Sequence, residues 1–244
     1  MKLGKGLAIG AGTLVVVAGI AGYLVLGKLG RLIERGVETE GPPLTRTSVS
    51  LGGAHVSIFN GEGSLSNLRI GNPPGFSDNP AFDLGKVAIK VDTRTLTSKI
   101  VHLKSVVVDG PQLLAEFDAQ GRSNLGAILD NVKAATRGGG GGGSSGGSSG
   151  GETRMIIDEF RFENAQARAL APALKLDKTL KLPPIVLHDL GAKQGGLAAA
   201  DIANQLMRPV VDTTVRAATQ EYVKAQRDKL GDKAKDKLLD KLFH

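Results

Sequence analysis

The side chains able to do chemistry in this chain are few and scattered. His55, His102, His188 and His244 are far apart in sequence. They lack the spacing of a motif such as H-E-x-x-H, which sets two imidazoles on one face of a helix to share a metal ion. Asp158-Glu159 and Asp109 offer carboxylates for general acid and base work, but no second element is directed at them, and solvating the outer face of a sheet is the alternative role. No Gly-x-Ser-x-Gly elbow is present. Without cysteine there is no thiolate zinc site, disulfide or cysteine nucleophile. Residues 138–151 are only Gly and Ser, but the Lys-Ser/Thr ending of a phosphate-cradling loop does not follow them. The expectation is a non-enzymatic protein with no metal and no cofactor.

The net charge of +7 at pH 7 would suit an anionic partner, either nucleic acid or an anionic membrane surface. The basic residues are interspersed with acidic ones, and no nucleic-acid-binding signature accompanies them. Aromatic residues are only 4% of the chain and Trp is absent, which argues against stacking platforms for single strands. Nucleic acid is therefore not an expected partner.

Elements must position whatever function remains, and the first of them is apolar. Leu7 to Gly27 carries no charge, includes Leu14, Val15, Val16, Val17, Ile20, Leu24, Val25 and Leu26, and is flanked by Lys2 and Lys5 before it and Lys28, Arg31 and Arg35 after it. About 20 such residues span a bilayer as a helix. A cleaved secretory signal is the alternative; the length of the run and the basic residues directly after it favour a retained anchor. Either reading exports the rest of the chain.

Leu29 to Glu38 extends this helix until Gly41-Pro42-Pro43 stops it. Short strands follow at Ser48–Phe59, Gly63–Ile70, Lys86–Asp92, Ile100–Val108 and Gln112–Phe117. Val87, Ile89 and Val91 alternate with Lys86, Ala88 and Lys90, the period of a half-buried strand. Gly121–Val132 reads as a short helix with Ser123 or Asn124 as N-cap and Leu125, Ile128 and Leu129 on one side. The Gly/Ser run is a flexible linker. Strands resume at Arg154–Phe162 and at Leu174–Leu190, the latter interrupted by Pro183-Pro184. From about Leu197 to Phe243 the pattern is helical, with Pro209 breaking or kinking it. Its last turns carry stripes of Asp, Lys and Leu or Ala at four-residue spacing, which suits a helix docked on the sheet or a partner better than one lying on a membrane.

Three stretches align without gaps: Leu65–Pro73, Leu103–Pro111 and Ile157–Ala165, with a fainter echo from Leu187 through Leu190. Each puts apolar residues at its first, fourth and sixth positions: Leu65, Leu68, Ile70; Leu103, Val106, Val108; Ile157, Phe160, Phe162. Spacings of three then two break strict alternation, so each copy is expected to hold a bulge that moves its apolar side chains to another face midway. One strand-and-corner unit reused in a curved sheet is the implied architecture.

This arrangement resembles the AsmA-like family of Gram-negative envelope proteins. The resemblance is carried by the N-terminal apolar segment, by Gly63-Ser64-Leu65-Ser66-Asn67-Leu68 running into Gly71-Asn72-Pro73-Pro74-Gly75-Phe76, by Val106-Val107-Val108-Asp109-Gly110-Pro111, and by Asp118-Ala119-Gln120-Gly121-Arg122-Ser123-Asn124-Leu125. It extends over about Thr45–Asn131 and more weakly over Arg154–Gly191, and does not reach the C-terminal helix. It implies a single-pass inner-membrane anchor, a periplasmic body, and an open β-groove that shields phospholipid acyl chains, in lipid binding or transport or in outer-membrane assembly and envelope maintenance. The chain is too short to bridge the periplasm alone.

The expected fold is mainly β with α: an N-terminal transmembrane helix, a curved, repeated, groove-like sheet and a C-terminal amphipathic helix. It divides into an anchor (1–40), a β-rich region (41–137), the linker (138–151), a second β segment completing the sheet (152–196) and a helical region (197–244). Residues expected to face lipid or fill the core are Val87, Ile89, Val91, Leu103, Val106, Val108, Ile157, Phe160 and Phe162. Sequence alone leaves both a lipid groove and an ordinary closed core open to these positions, favouring the ordinary core at any single residue and the groove for the sheet as a whole. A structural or adaptor protein that binds an envelope partner through its C-terminal helix is the alternative function.

Overall fold

The structure, a computed structural model, describes residues 29–57, 60–96, 98–138 and 154–243. The apolar segment Leu7–Gly27, the Gly/Ser run after Gly138 and the helix side chains from residue 232 onward lie outside the described residues. No helix among the described residues is long and apolar enough to cross a membrane.

Among the described residues the fold is mixed α and β, built on one large open sheet of ten strands. The strands are β1 (Val49–Ser57), β2 (Glu62–Ile70), β3 (Phe82–Asp83), β4 (Lys86–Val91), β5 (Ile100–Asp109), β6 (Gln112–Glu116), β7 (Arg154–Glu163), β8 (Gln166–Ala171), β9 (Leu176–Lys181) and β10 (Ile185–Leu190). The helices are α1 (Leu29–Thr45), α2 (Asn124–Gly138) and α3 (Ala199–Phe243).

Ten strands reduce to six bent arms. β3 runs into β4 through Leu84-Gly85, β5 into β6 through Gly110-Pro111, β7 into β8 through Asn164-Ala165, and β9 into β10 through Leu182-Pro183-Pro184; β1 and β2 each continue through the bend as one strand. Pairing is in register on both sides of every bend. β2 pairs β4 at Leu65↔Val87 and β3 at Ile70↔Phe82, with no residue gained or lost between them. The β5–β6 and β7–β8 arms run parallel with one constant offset, from Ile100↔Arg154 to Glu116↔Leu170. β9–β10 returns antiparallel, β9 on β8 and β10 on β7.

Counting along these ladders sets the corner residues Gly52, Asn67, Gly85, Gly110, Asn164 and Pro183 side by side in one line. Four of them, Asn67, Gly85, Gly110 and Asn164, have φ between 53° and 65°, a left-handed conformation that only Gly and Asn adopt readily. Hydrogen bonds stitch the line: Asn67 N–H donates to the Gly85 carbonyl, Gly110 N–H to that of Glu163 (2.9 Å), Gln166 N–H to that of Pro111 (3.0 Å) and Leu182 N–H to that of Ala165 (2.9 Å).

The repeat is real for two of its copies. Leu103, Val106 and Val108 lie directly opposite Ile157, Phe160 and Phe162, and the β5–β7 ladder skips Lys104-Ser105 and Asp158-Glu159 together. The bulge acts opposite to expectation. Side chains alternate along a strand, so a spacing of three would turn them over; the extra residue absorbs that turn and keeps all six buried on one face. In the first copy the same spacing has another cause, because Leu65 and Leu68 flank the corner residue Asn67 and that copy straddles the bend.

The interruption expected at Pro183-Pro184 is the corner itself, with β9 on one side of the line and β10 on the other. Other expectations need correcting. β8 was not legible, since Gln-Ala-Arg-Ala-Leu-Ala has little strand propensity; its Ala167 and Ala169, both fully buried, are small enough to let α3 pack over them. Gly41-Pro42-Pro43 does not stop α1, which runs to Thr45. The last turn survives because Thr45 Oγ1 donates to the Gly41 carbonyl (3.1 Å) and Arg46 N–H to that of Pro42 (2.8 Å). Pro209 does not end α3: the carbonyl it leaves unpaired belongs to Gln205, an exposed residue.

α1 lies along the free edge of β1. Glu38 Oε1 accepts from Leu51 N–H (3.4 Å) and Glu34 Oε1 from Ala54 N–H (3.2 Å), while Ile33 and Val37 are buried in the common core. An unpaired strand edge is a template for aggregation, and these two carboxylates occupy it. α3 crosses the inner face of the sheet with Ile202, Ala203, Leu206, Met207, Val210, Val211 and Thr214 buried, the 3.6-residue period of an amphipathic helix.

A left-handed corner predicts an asymmetry between glycines. Gly110→Ala should cost about 1 kcal/mol in urea unfolding, because a Cβ is disfavoured at its φ of 65° although nothing lies within 4 Å. Gly53→Ala, equally uncrowded and without a positive φ, should be neutral; equal losses at both positions would contradict the corner geometry.

Candidate functional site

Where β2, β3, β4, β5 and β7 meet the corner line, the inner face encloses a cavity of about 50 Å³. Ile70 and Phe82 line it from one side of the bend; Leu84, Val87, Val106, Phe160 and Phe162 line it at the bend and from the other side. Leu206, Met207 and Val210 of α3 close it. Every lining residue is apolar. The Phe160 and Phe162 rings stack with centroids 6.5 Å apart.

Four of the nine residues singled out from the sequence, Val87, Val106, Phe160 and Phe162, border this cavity. Ile89, Val91, Leu103, Val108 and Ile157 are buried in the same hydrophobic cluster without reaching it. Sequence reasoning missed Phe82 and Leu84, whose alternation is cut short by Gly85, and did not single out the helix side chains above them. The inner face continues outward onto the last arm, where Leu176, Leu180, Ile185, Leu187 and Leu190 are only half-buried. No strand pairs the outer edge of that arm among the described residues.

The polar residues that stand out are structural. Glu116, 7% exposed, accepts hydrogen bonds from Ser77 Oγ (2.6 Å), Ser77 N–H (3.1 Å) and Asn72 Nδ2 (3.0 Å). Asn124 is fully buried: its Oδ1 accepts from Glu116 N–H (2.9 Å) and its Nδ2 donates to Asn72 Oδ1 (2.6 Å) and the Leu114 carbonyl (2.8 Å). Ser123 therefore caps α2, its carbonyl accepting from Ala127 N–H, and Asn124 ties the helix to β6 and to the Asn72 loop. Glu116 was not noticed in the sequence, and nothing in its strand spacing marks it. An open polar recess lies beside this knot, lined by Arg46, Ser48, Asn72, Ser77 and Asp78 among others.

His102 Nδ1 stands 4.0 Å from Asp158 Oδ1 on the outer face, with both side chains near half exposed and no third group aligned with them. Glu159 lies opposite His188 in register, and Asp109 accepts from Asn164 Nδ2 (2.6 Å) as part of the corner. No group of three His, Asp or Glu able to hold a metal occurs among the described residues. Comparison of the chain with protein-family models, curated proteins and solved structures gave no match.

At its far end α3 is held by polar and aromatic contacts: Lys178 Nζ to Glu221 Oε1 (2.8 Å), the Tyr222 ring on Phe117 (centroids 4.7 Å apart), and Lys229 Nζ donating to the Ala173 carbonyl (2.5 Å). The hydrogen bond from Lys178 holds the Glu221 carboxyl below its ordinary range, against a smaller opposing effect of desolvation.

Two outcomes follow from these contacts. Asn124→Ala orphans the Glu116 N–H and the Leu114 carbonyl, and should cost about 3 kcal/mol in urea unfolding; a loss below about 0.5 kcal/mol would contradict the knot's structural role. Because the folded-state pKa of Glu221 is depressed, its contribution is present above the unfolded-state pKa and lost as pH falls through the folded one. Hydrogen exchange near Glu221 should therefore quicken, relative to Glu221→Gln, as pH is taken below about 4.

Proposed function

We propose that this protein holds a phospholipid acyl chain along the inner face of its bent sheet, as an envelope protein of the AsmA-like type anchored by Leu7–Gly27. The observation that carries the reading is the cavity at the corner line, lined only by apolar residues, on a sheet whose last arm is apolar and half-buried on its inner face, with no strand pairing its outer edge among the described residues. A chain entering there would lie against Phe160, Phe162 and Val106, and each methylene buried contributes roughly 0.8 kcal/mol. The site requires no reacting group, so its role is binding, shielding or handing on lipid rather than catalysis. In this reading the body is periplasmic, beside the inner membrane, and serves lipid transport or outer-membrane assembly over a short reach.

A second reading has its own observation. In its far part α3, although Lys229 still reaches the Ala173 carbonyl, exposes Val223 (37%) and Leu230 (63%). An adaptor role through this segment would use those side chains on an envelope protein.

Photocrosslinking separates the two. Benzoylphenylalanine in place of Phe160 should form phospholipid adducts in intact cells, and in place of the exposed outer-face residue Ala88 it should not. Absence of adducts at Phe160 would overturn the lipid reading. Removal of Asp228–His244 should leave those adducts intact; their loss together with a partner would favour the adaptor. An export-dependent reporter fused after His244 should be active, and activity of a cytoplasm-dependent reporter would overturn the topology.

A further inference from the structure

We infer that α3 is a displaceable latch, and that the acyl chain takes the space now filled by its Leu206, Met207 and Val210 side chains. This rests on the acyl-binding reading above. With α3 seated, about 50 Å³ remains beneath it. That is space for a few water-sized probes, where one water needs about 10–15 Å³ by the same kind of measure, and far too little for the tail of a phospholipid. Ligand and helix therefore compete for one place.

Three observations make the helix the part that yields. The sheet is hydrogen-bonded through all six arms without it: the one ladder contact on this side, between Met155 and Leu197, precedes the first residue of α3 and supplies a fixed pivot. The seated helix is also imperfectly satisfied. Asn204, two residues before the first cavity-lining residue of the helix, has its Oδ1 buried with no hydrogen-bond partner, a penalty that water removes when the helix lifts. Finally, apart from Tyr222 on the buried Phe117, the distal hold depends on partly exposed contacts. The Lys178 and Glu221 side chains are 47% and 22% exposed, and Lys229, which reaches the Ala173 carbonyl, is an exposed residue. Together the void, the orphaned acceptor and the exposed fastening describe a closed state held with little excess stability, as a segment that opens must be.

The test uses the full-length chain in phospholipid nanodiscs that contain a phospholipid with a diazirine-bearing acyl chain, with adducts mapped by mass spectrometry. Lys178→Cys with Glu221→Cys gives the only two thiols in a chain without cysteine, and a short bismaleimide between them fastens the helix. The unbridged double variant should form adducts in the peptides holding Phe160–Phe162 or Leu206–Val210, and the bridged one should not. Asn204→Leu should lower adduct yield on the order of tenfold and raise Tm, because the closed state loses its unpaired acceptor. Equal labelling of bridged and unbridged protein would overturn the latch while leaving the acyl site standing. Absence of inner-face adducts in native and unbridged protein alike would overturn the acyl site and the latch with it. An Asn204→Leu variant that labels as well as the native chain would also count against the latch.

Discussion

Everything in this fold depends on hydrogen-bond ladders that pass through a bend without losing register. An arm that pairs on both sides of a corner cannot slide on its neighbour, because a slip of one residue would turn its whole apolar set outward on both sides. The corner residues must therefore fall on one line, and the left-handed conformations of Asn67, Gly85, Gly110 and Asn164 are the local consequence. The same line brings Ile70 and Phe82 from one side of the bend against Val87, Val106 and Phe160 from the other. A flat sheet of the same strands would have spread these side chains apart.

The helices deal with what the sheet leaves open. α1 occupies the β1 edge through Glu34 and Glu38, so one end of the stack of arms is closed by carboxylates that accept the strand's spare N–H groups. The other end, β9–β10, has no such cover among the described residues; most of its inner side chains are half-buried, and Pro183-Pro184 and Lys181 are the devices that blunt its edge. α2 is fixed by the buried knot of Asn72, Ser77, Glu116 and Asn124, whose many mutual bonds set the helix against β6 at one point. α3 is held by apolar contact along its first turns and, at its far end, by the partly exposed Lys178–Glu221 pair and by Tyr222 on Phe117 rather than by a buried polar knot. The stability of the closed end and the openness of the other are thus built by different chemistry.

Much of this was legible from residue order. The alternation of Val87, Ile89 and Val91 marked β4, and the shared spacing of Leu103–Val108 with Ile157–Phe162 anticipated two strands that lie side by side in that very register. What the spacing concealed was its cause, since a bulge of β5 against β4, which β7 follows in step, and a corner in β2 leave the same apolar pattern. β8 escaped because alanine and arginine carry no strand signal; its existence is dictated by pairing with β6, a tertiary effect. Leu174–Leu190 read as one interrupted run, since no local feature tells that the chain is crossing from one side of a bent sheet to the other. At the site, the side chains from β4, β5 and β7 were readable, but Phe82 and Leu84, beside Gly85, were not, nor were the helix side chains opposing them, because which face of α3 meets the sheet is decided by docking. Glu116 could not be found at all: a buried carboxylate is signalled by its partners, and these come from loops and a helix far away in sequence.

The central claim is that lipid lies inside the bend, between the two sides of the sheet. It is tested most directly by intermolecular nuclear Overhauser effects between ¹³C-labelled acyl chains and the protein in nanodiscs. The account predicts cross-peaks from acyl methylenes to the ring protons of Phe160 and Phe162 and to the Val106 methyls, and none to the outward-facing methyls of Val186. Cross-peaks confined to Val186 and the exposed part of α3, with the rings of Phe160 and Phe162 silent, would contradict it.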